Sequence, residues 1–221
     1  MRGLGRRMRW NDQGLTLPEL LVAIAIMGII ILPLGDAFIG YLRNSDETTR
    51  RLGESHDAKM ISAYFSGDVQ SLGIRATAPP YDMQQSVSVS TAELGCNATR
   101  PVGSPQPVVL VKLGWHDHTT ATGAPQVVVV NYYRIEVADG ADELWRRTCR
   151  GTSVAALSLH SEFIVVHNLN PDTPPTVACN PAPCNGSGPG VPRQITLSLS
   201  IHNPDSQSTP LSVTLIGQRR Q

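Results

Sequence analysis

Gly14-Leu15-Thr16-Leu17-Pro18-Glu19-Leu20 leads directly into an apolar run that extends from Leu20 to Leu34 and contains no charged residue. Together the two stretches predict a membrane-spanning helix that carries a carboxylate near its beginning. A charged side chain inside a bilayer costs about 3 kcal/mol or more, so such groups are rare and functional by default. Glu19 is therefore the residue that a simple membrane anchor does not explain.

The pattern of a glycine, four further residues, a glutamate and an apolar helix resembles the class III signal of type IV pilins and pseudopilins. The resemblance implies that a prepilin peptidase cleaves after Gly14 and methylates the new N-terminus at Leu15, where most members have Phe. It also implies that the retained helix first anchors the subunit in the membrane and later packs inside a filament. There Glu19 would neutralise the α-amino group of a neighbouring Leu15, so that the buried carboxylate has a partner.

The charge distribution predicts how the chain crosses a membrane. The whole chain has 18 basic and 18 acidic residues, but the expected leader peptide, 1–14, carries four arginines against one aspartate. Under the positive-inside rule the leader stays in the cytoplasm and the chain after Leu34 is exported. We therefore expect a single-pass protein of the bacterial inner (cytoplasmic) membrane, with its C-terminal domain outside the cytoplasm, that later enters a pilus or pseudopilus. The mildly acidic exported part argues against nucleic acid as a partner.

Two other interpretations of the apolar run fit less well. A secretory signal peptide has an apolar core of about 7–15 residues followed by a small-x-small cleavage site, and no such site follows Pro33. A plain signal anchor explains the apolar run but explains neither Gly14 nor Glu19. The resemblance to pilins accounts for all of these features.

Beyond Pro33 the sequence continues in a helical pattern. Apolar residues recur at three- and four-residue spacing as far as Leu72, on both sides of a polar stretch at 43–51 that we expect to be solvated. Gly73 and the Pro79-Pro80 pair predict the end of the helix. We expect 15–35 to be a transmembrane and assembly helix and 36–78 to be its amphipathic continuation, whose apolar face packs on a sheet.

The remainder, 79–221, predicts a β-rich exported domain. Clusters of Gly, Pro, Asn and Asp separate seven β-branched or alternating runs, and 138–141 has the composition of a hairpin turn. The segment 168–192 holds seven prolines, and we expect it to be an exposed loop. The expected fold is α+β and pilin-like, with a long N-terminal helix packed on a largely antiparallel sheet. The runs are 86–90, 108–113, 127–137, 144–148, 162–166, 195–201 and 211–216.

Four cysteines follow the apolar segment, on the side expected to be oxidising, so two disulfides are expected. Three connectivities are possible. The pairing of Cys179 with Cys184 and of Cys96 with Cys149 is favoured, because the intervening Asn-Pro-Ala-Pro forces the chain to turn. A zinc site is the alternative, but the close-spaced cysteine pairs typical of zinc sites are missing.

Two weaker patterns resemble particular members of the pilin family. The segment 65–73, with Asp68, is similar to the aspartate-bearing helix end of J-class pseudopilins of type II secretion and W-class minor pilins. The run 128–134 followed by Leu144-Trp145-Arg146 resembles a hairpin of the same proteins. The resemblance implies a minor, assembly-priming subunit without catalytic activity. Its partners would be prepilin peptidase, other pilin or pseudopilin subunits in a filament or tip complex, an inner-membrane assembly platform and membrane lipid.

The sequence contains only weak signals for catalytic or metal-binding sites. His116-Asp117-His118 has the spacing of a metal site on a strand, and Asp139, Asp142 and Glu143 could chelate calcium, but we expect a polar loop and a hairpin turn instead. There is no G-x-S-x-G elbow and no nucleotide-binding glycine motif. We therefore expect no catalytic residue, no metal and no cofactor. The alternative function is a membrane-anchored extracytoplasmic binding module that uses 168–192 as its ligand surface.

Overall fold

A computed structural model describes residues 16–118, 125–137, 140–206 and 208–220. The expected processing residues Gly14 and Leu15, and Ala138 and Asp139 of the expected turn, lie outside the described residues. The chain divides into two compact units, Met1–Asp46 and Glu47–Gln221. One helix, α1 (Leu17–Ser71), contributes to both units.

Helix α1 remains helical through Pro33 and ends at Ser71. The last seven residues of the range 36–78 are therefore not helical. The chain leaves the helix at Gly73, whose φ of +150° favours glycine. The Gly73 N–H then donates to the Gly114 carbonyl at 3.0 Å, and the Gly73 carbonyl accepts from the His116 N–H at 3.2 Å. The helix ends here because the following backbone pairs with a strand.

An eight-stranded sheet makes up most of the second unit, and every strand pair among the described residues is antiparallel. The strands are β1 (Val87–Ser88), β2 (Val108–Asp117), β3 (Gln126–Ile135), β4 (Asp142–Gly151), β5 (Leu157–Leu169), β6 (Thr176–Asn180), β7 (Gln194–Ile201) and β8 (Leu211–Gln218). Their order in the sheet is β1-β2-β3-β4-β5-β7-β6, and β8 also pairs with β7. The expected α+β fold, a long helix packed on an antiparallel sheet, is confirmed.

The hydrophobic core lies on both faces of the sheet. On one face, Ile61, Phe65 and Val69 of α1 pack against the inward side chains of the strands and are at most 1% exposed. On the other face, the chain between α1 and β2 covers a smaller apolar cluster that includes Leu94 and Val129. Strand β3 is buried on both faces, which explains its continuous apolar run.

The expectation that 168–192 is an exposed loop is wrong in part. Strand β5 extends to Leu169, and β6 lies inside the segment and pairs with β7 over five residues. Val177 and Cys179 of β6 pack against the core, so alternating residues of this short run have one buried face. Five alternating residues between proline clusters were too weak a signal, because propensity does not show that a free strand edge is available.

Candidate functional site

The apolar part of α1 is exposed along its whole length. Its mean hydropathy reaches 2.5 over an 18-residue window, none of which is buried, so its length and composition are sufficient for it to cross a membrane. Ile29 and Leu32 are 73% and 74% exposed. A continuous apolar surface of this kind marks a lipid or protein contact.

Glu19 caps the beginning of α1. Its Oε2 accepts hydrogen bonds from the Thr16 N–H at 3.1 Å and from the Thr16 hydroxyl at 3.0 Å. The Leu20 N–H donates to the Thr16 carbonyl at 3.2 Å. This is half of a capping box, in which an N-cap Thr and the Glu three residues later satisfy otherwise unpaired N–H groups. The T-x-x-E spacing at 16–19 is a signal for this role that the sequence analysis missed.

A buried ion pair joins the second half of α1 to the sheet. Both oxygens of Asp68 accept from Arg146 of β4, at 2.7 Å from Nη2 and 2.9 Å from Nε. The hydroxyl of Tyr132 on β3 donates to Asp68 at 2.6 Å. The side chains of Asp68 and Arg146 are 8% and 11% exposed. The two patterns singled out from the sequence, the aspartate near the helix end and the Leu144-Trp145-Arg146 strand, therefore contact each other.

The aromatic surroundings hold this ion pair in a dry site. The Arg146 guanidinium lies 5.0 Å from the ring centre of Tyr64 and 5.8 Å from that of Phe163, which adds cation–π attraction. Burial raises the pKa of Tyr132 well above its usual value, and the negative charge of Asp68 adds to the rise. The Tyr132 hydroxyl therefore stays protonated and remains a donor.

Two further carboxylates of α1 bind backbone at the far edge of the same helix–sheet contact. Glu54 Oε1 accepts from the Asn203 N–H at 2.9 Å, and Asp57 Oδ2 accepts from the His167 N–H at 2.8 Å. Both residues are at most 5% exposed. Leu52, one of the apolar residues in the helical pattern that ends at Leu72 and therefore expected to be buried, is 66% exposed. A burial rule based on apolar residues missed these acids, because their partners lie more than 100 residues away in sequence.

The polar stretch 43–51 is not fully solvated, contrary to the sequence-based expectation. Glu47 Oε1 accepts from the Ser206 hydroxyl at 2.8 Å, and Arg50 donates to the Asp205 carbonyl. The C-terminal part of this stretch thus contacts the turn before β8. The sequence shows no periodic apolar stripe here because the contacts are hydrogen bonds.

The candidate metal groups have other roles in the structure. Asp142 forms an ion pair with Arg134 at 3.0 Å; burial raises its pKa, and Arg134 opposes the rise. Glu143 Oε2 accepts from the indole N–H of Trp145 at 2.9 Å. At 116–118 the two histidine rings pack edge to face with centroids 6.2 Å apart. Within the described residues, no group of three His, Cys, Asp or Glu side chains is arranged to hold a metal ion.

The four cysteines form the two pairs that the sequence favours. Cys96 is bonded to Cys149 of β4, and Cys179 of β6 is bonded to Cys184. The first bond ties the covering segment between α1 and β2 to the sheet, inside the smaller apolar cluster. The second closes a six-residue loop at the end of β6.

Comparison with known proteins bears on the N-terminal stretch. Residues 11–35 match the family described as the prokaryotic N-terminal methylation motif. No curated protein and no solved structure matches the chain. The match contains Gly14, Leu15 and Glu19, and it confirms the family resemblance recognised from these residues. It supports a membrane-anchored subunit.

Proposed function

Because the methylation motif identifies this chain as a pilin or pseudopilin that a prepilin peptidase processes, we propose that it is a minor subunit that primes assembly of a filament. The filament is a type IV pilus or a type II secretion pseudopilus. Members of this family are structural subunits and not enzymes, and they assemble with other pilin subunits. The observation that carries the proposal is the capped carboxylate of Glu19 at the head of an apolar helix that the single chain leaves exposed.

The chemistry of Glu19 supports its role in assembly. Thr16 occupies only Oε2, and Oε1 accepts no hydrogen bond from any described residue. A neighbouring subunit can therefore present its Leu15 α-amino group to Oε1 while the helix cap stays in place. Pairing of the two opposite charges lowers the cost of holding each in an apolar environment. We assign cleavage and methylation to Gly14 and Leu15, and the intersubunit contact to Glu19.

The membrane topology follows from the same proposal. The arginine-rich leader, 1–14, stays in the cytoplasm, 15–35 spans the inner membrane, and the amphipathic region 36–78 and the β-rich domain 79–221 lie outside. Two disulfides in the latter domain are consistent with an oxidising compartment. The further partners in this scheme are the inner-membrane assembly platform and other minor subunits of a tip complex.

The assignment to a minor J-class or W-class subunit rests on the second unit. Asp68 and Arg146 lie in the two patterns that resemble those classes, and they form one buried ion pair. This pair supports the interpretation that the two patterns are parts of one helix–hairpin contact and are not chance matches. A large β-rich domain also suits a tip subunit better than a filament subunit that must repeat many times.

The test is Glu19→Gln, which keeps the shape of the side chain and removes its charge. The matched control is Asp36→Asn, the same chemical change on the exposed face of the same helix, outside the matched motif. We expect normal processing of both variants, measured by intact mass. Incorporation of Glu19→Gln into filaments should fall by at least about tenfold, which needs a loss of only about 1.4 kcal/mol per contact.

Incorporation of Glu19→Gln at the level of Asp36→Asn would refute the assembly role of Glu19. If the protein also remained functional without entering a filament, the alternative, a membrane-anchored binding module, would replace the proposal. Purified filaments probed with an antibody against the β-rich domain provide the measurement.

A further inference from the structure

A polar cleft of about 450 Å³ lies where β6 ends, β7 begins and β8 ends. Three residues with amide side chains line it from adjacent strands: Asn180 is paired in register with Gln194, and Gln194 with Gln218. Arg193 and Arg219 line the same cleft, together with two prolines. The cleft thus combines several hydrogen-bond donors with two cations and is independent of the filament role of α1.

The two arginines are held beside each other by the backbone. The Arg193 N–H donates to the Asn180 carbonyl at 2.8 Å, and the Arg219 N–H donates to the Arg193 carbonyl at 2.8 Å. They therefore extend the strand ladder by one position, where side chains of neighbouring strands lie about 4.5–5.5 Å apart at Cβ. Like charges placed opposite each other in this way are destabilising.

No carboxylate compensates this repulsion within the described residues, since neither Arg193 nor Arg219 forms an ion pair there. The one side-chain partner of Arg219 in that part of the chain is the thioether of Met83, at 2.6 Å, a weak acceptor. Burial lowers the pKa of Arg219, and the positive charges of Arg193 and Arg75 lower it further. Arg193 and Arg219 therefore bring two positive charges to a cleft whose described lining residues include no carboxylate.

We propose that this cleft binds a phosphate group. Guanidinium groups match the oxygens of phosphate with paired N–H donors, and the negative charge of a phosphate group placed between Arg193 and Arg219 offsets their repulsion. The phosphate comes from free inorganic phosphate or from the headgroup of an anionic lipid.

The first experiment titrates inorganic phosphate into the full-length processed protein in a non-ionic detergent, by calorimetry at constant ionic strength set with chloride. Arg193→Gln and Arg219→Gln are the test variants. Arg220→Gln is the matched control, because it removes the same charge one residue further on, from an exposed side chain that contacts Gln70. We expect each test variant to bind phosphate at least about tenfold more weakly, the loss of one charge-assisted hydrogen bond, and the control to bind within about threefold of the wild type.

A folding defect is separated from a binding defect by the thermal unfolding temperature without phosphate. Both test variants should unfold at or above the wild-type temperature, because each substitution relieves the repulsion between Arg193 and Arg219. Absence of phosphate binding to the wild-type protein, or equal binding by test and control variants, overturns the proposal. Tighter binding of citrate than of phosphate overturns the choice of ligand.

A second arm distinguishes the two sources of phosphate. The protein is placed in nanodiscs of phosphatidylcholine, with or without phosphatidylglycerol, and the phosphate titration is repeated. If an anionic lipid headgroup occupies the cleft, phosphatidylglycerol weakens the apparent phosphate affinity of the wild-type protein and leaves that of Arg193→Gln unchanged. If the affinity is the same in both nanodiscs, the cleft is a site for free phosphate.

Discussion

Removal of the buried carboxylate of Asp68 should destabilise the second unit strongly. Asp68→Leu keeps the branched shape of the side chain but leaves the Arg146 guanidinium, 11% exposed, without its counter-ion. It also removes the acceptor of the hydroxyl of Tyr132, a fully buried residue. Breaking a buried pair from one side costs about 3–5 kcal/mol, because an uncompensated charge stays in the interior.

A double-mutant cycle separates the ion pair from its surroundings. Arg146→Met should cost about as much as Asp68→Leu, since it leaves the carboxylate buried. The double variant should cost less than the sum of the two by about 1–3 kcal/mol, because residues in direct contact are coupled and an apolar pair suits the aromatic surroundings. The control is Glu136→Ala. The Glu136 side chain is 66% exposed and forms an ion pair with Arg134, so its removal should lower the free energy of unfolding by less than about 1 kcal/mol.

The assay is thermal unfolding of the processed protein in detergent, followed by the fluorescence of Trp115 and Trp145. A unit of this size loses about 2–4 °C in Tm per kcal/mol, so Asp68→Leu should lower Tm by roughly 6–20 °C. A decrease no larger than that of Glu136→Ala, or strictly additive effects in the cycle, would refute the view that this pair fastens α1 to the sheet.

Three further predictions follow from individual sites. Gly217→Ala should lower stability by about 1–3 kcal/mol, because the new Cβ would lie 2.5 Å from Val69 Cβ; Gly53→Ala, with open space around it, should instead raise Tm slightly through better helix propensity. Burial lowers the pKa of Lys112 from 10.5 to about 8. Between these two values the unfolded chain binds more protons than the folded protein, so the free energy of unfolding should rise with pH in this range. Thermal unfolding measured from pH 7.5 to 9.5 should show this rise for the wild-type protein and not for Lys112→Met. Serine in place of both Cys96 and Cys149, which are 53 residues apart in sequence, should cost about 4 kcal/mol from the chain entropy of the unfolded state, and a change in Tm of under 2 °C would contradict this expectation.

Local patterns in the sequence were sufficient for most of the fold. Periodicity and helix- or strand-breaking residues predicted seven of the strands, the long helix and its end near Gly73. Both signals arise from residues that are close together in the sequence, so they do not depend on the tertiary structure. The strand β6 did not follow, because its five residues become a strand only where β7 offers a free edge. Its alternating side chains are buried by contact with the core and not by local preference.

The N-terminal site was the most predictable part of the protein. Glu19 stands out because a carboxylate in a membrane segment is costly wherever the chain folds, and the Gly14–Glu19 spacing lies within six residues. The capping box with Thr16 was also readable, from the T-x-x-E spacing. The proposed cleavage after Gly14 and methylation of Leu15 concern adjacent residues, so the pattern that predicts them is local in the sequence.

The polar contacts of the second unit depended on the fold. The apolar pattern of α1 predicts that its charged residues face solvent. Glu54, Asp57 and Asp68 are instead buried, each against a partner between 64 and 149 residues away in sequence. Likewise, the arginines 193 and 219 meet only because β7 and β8 pair in one register. A linear sequence carries the charge of each group, whereas the distance between two groups, and with it their energy, exists only after the strands have paired.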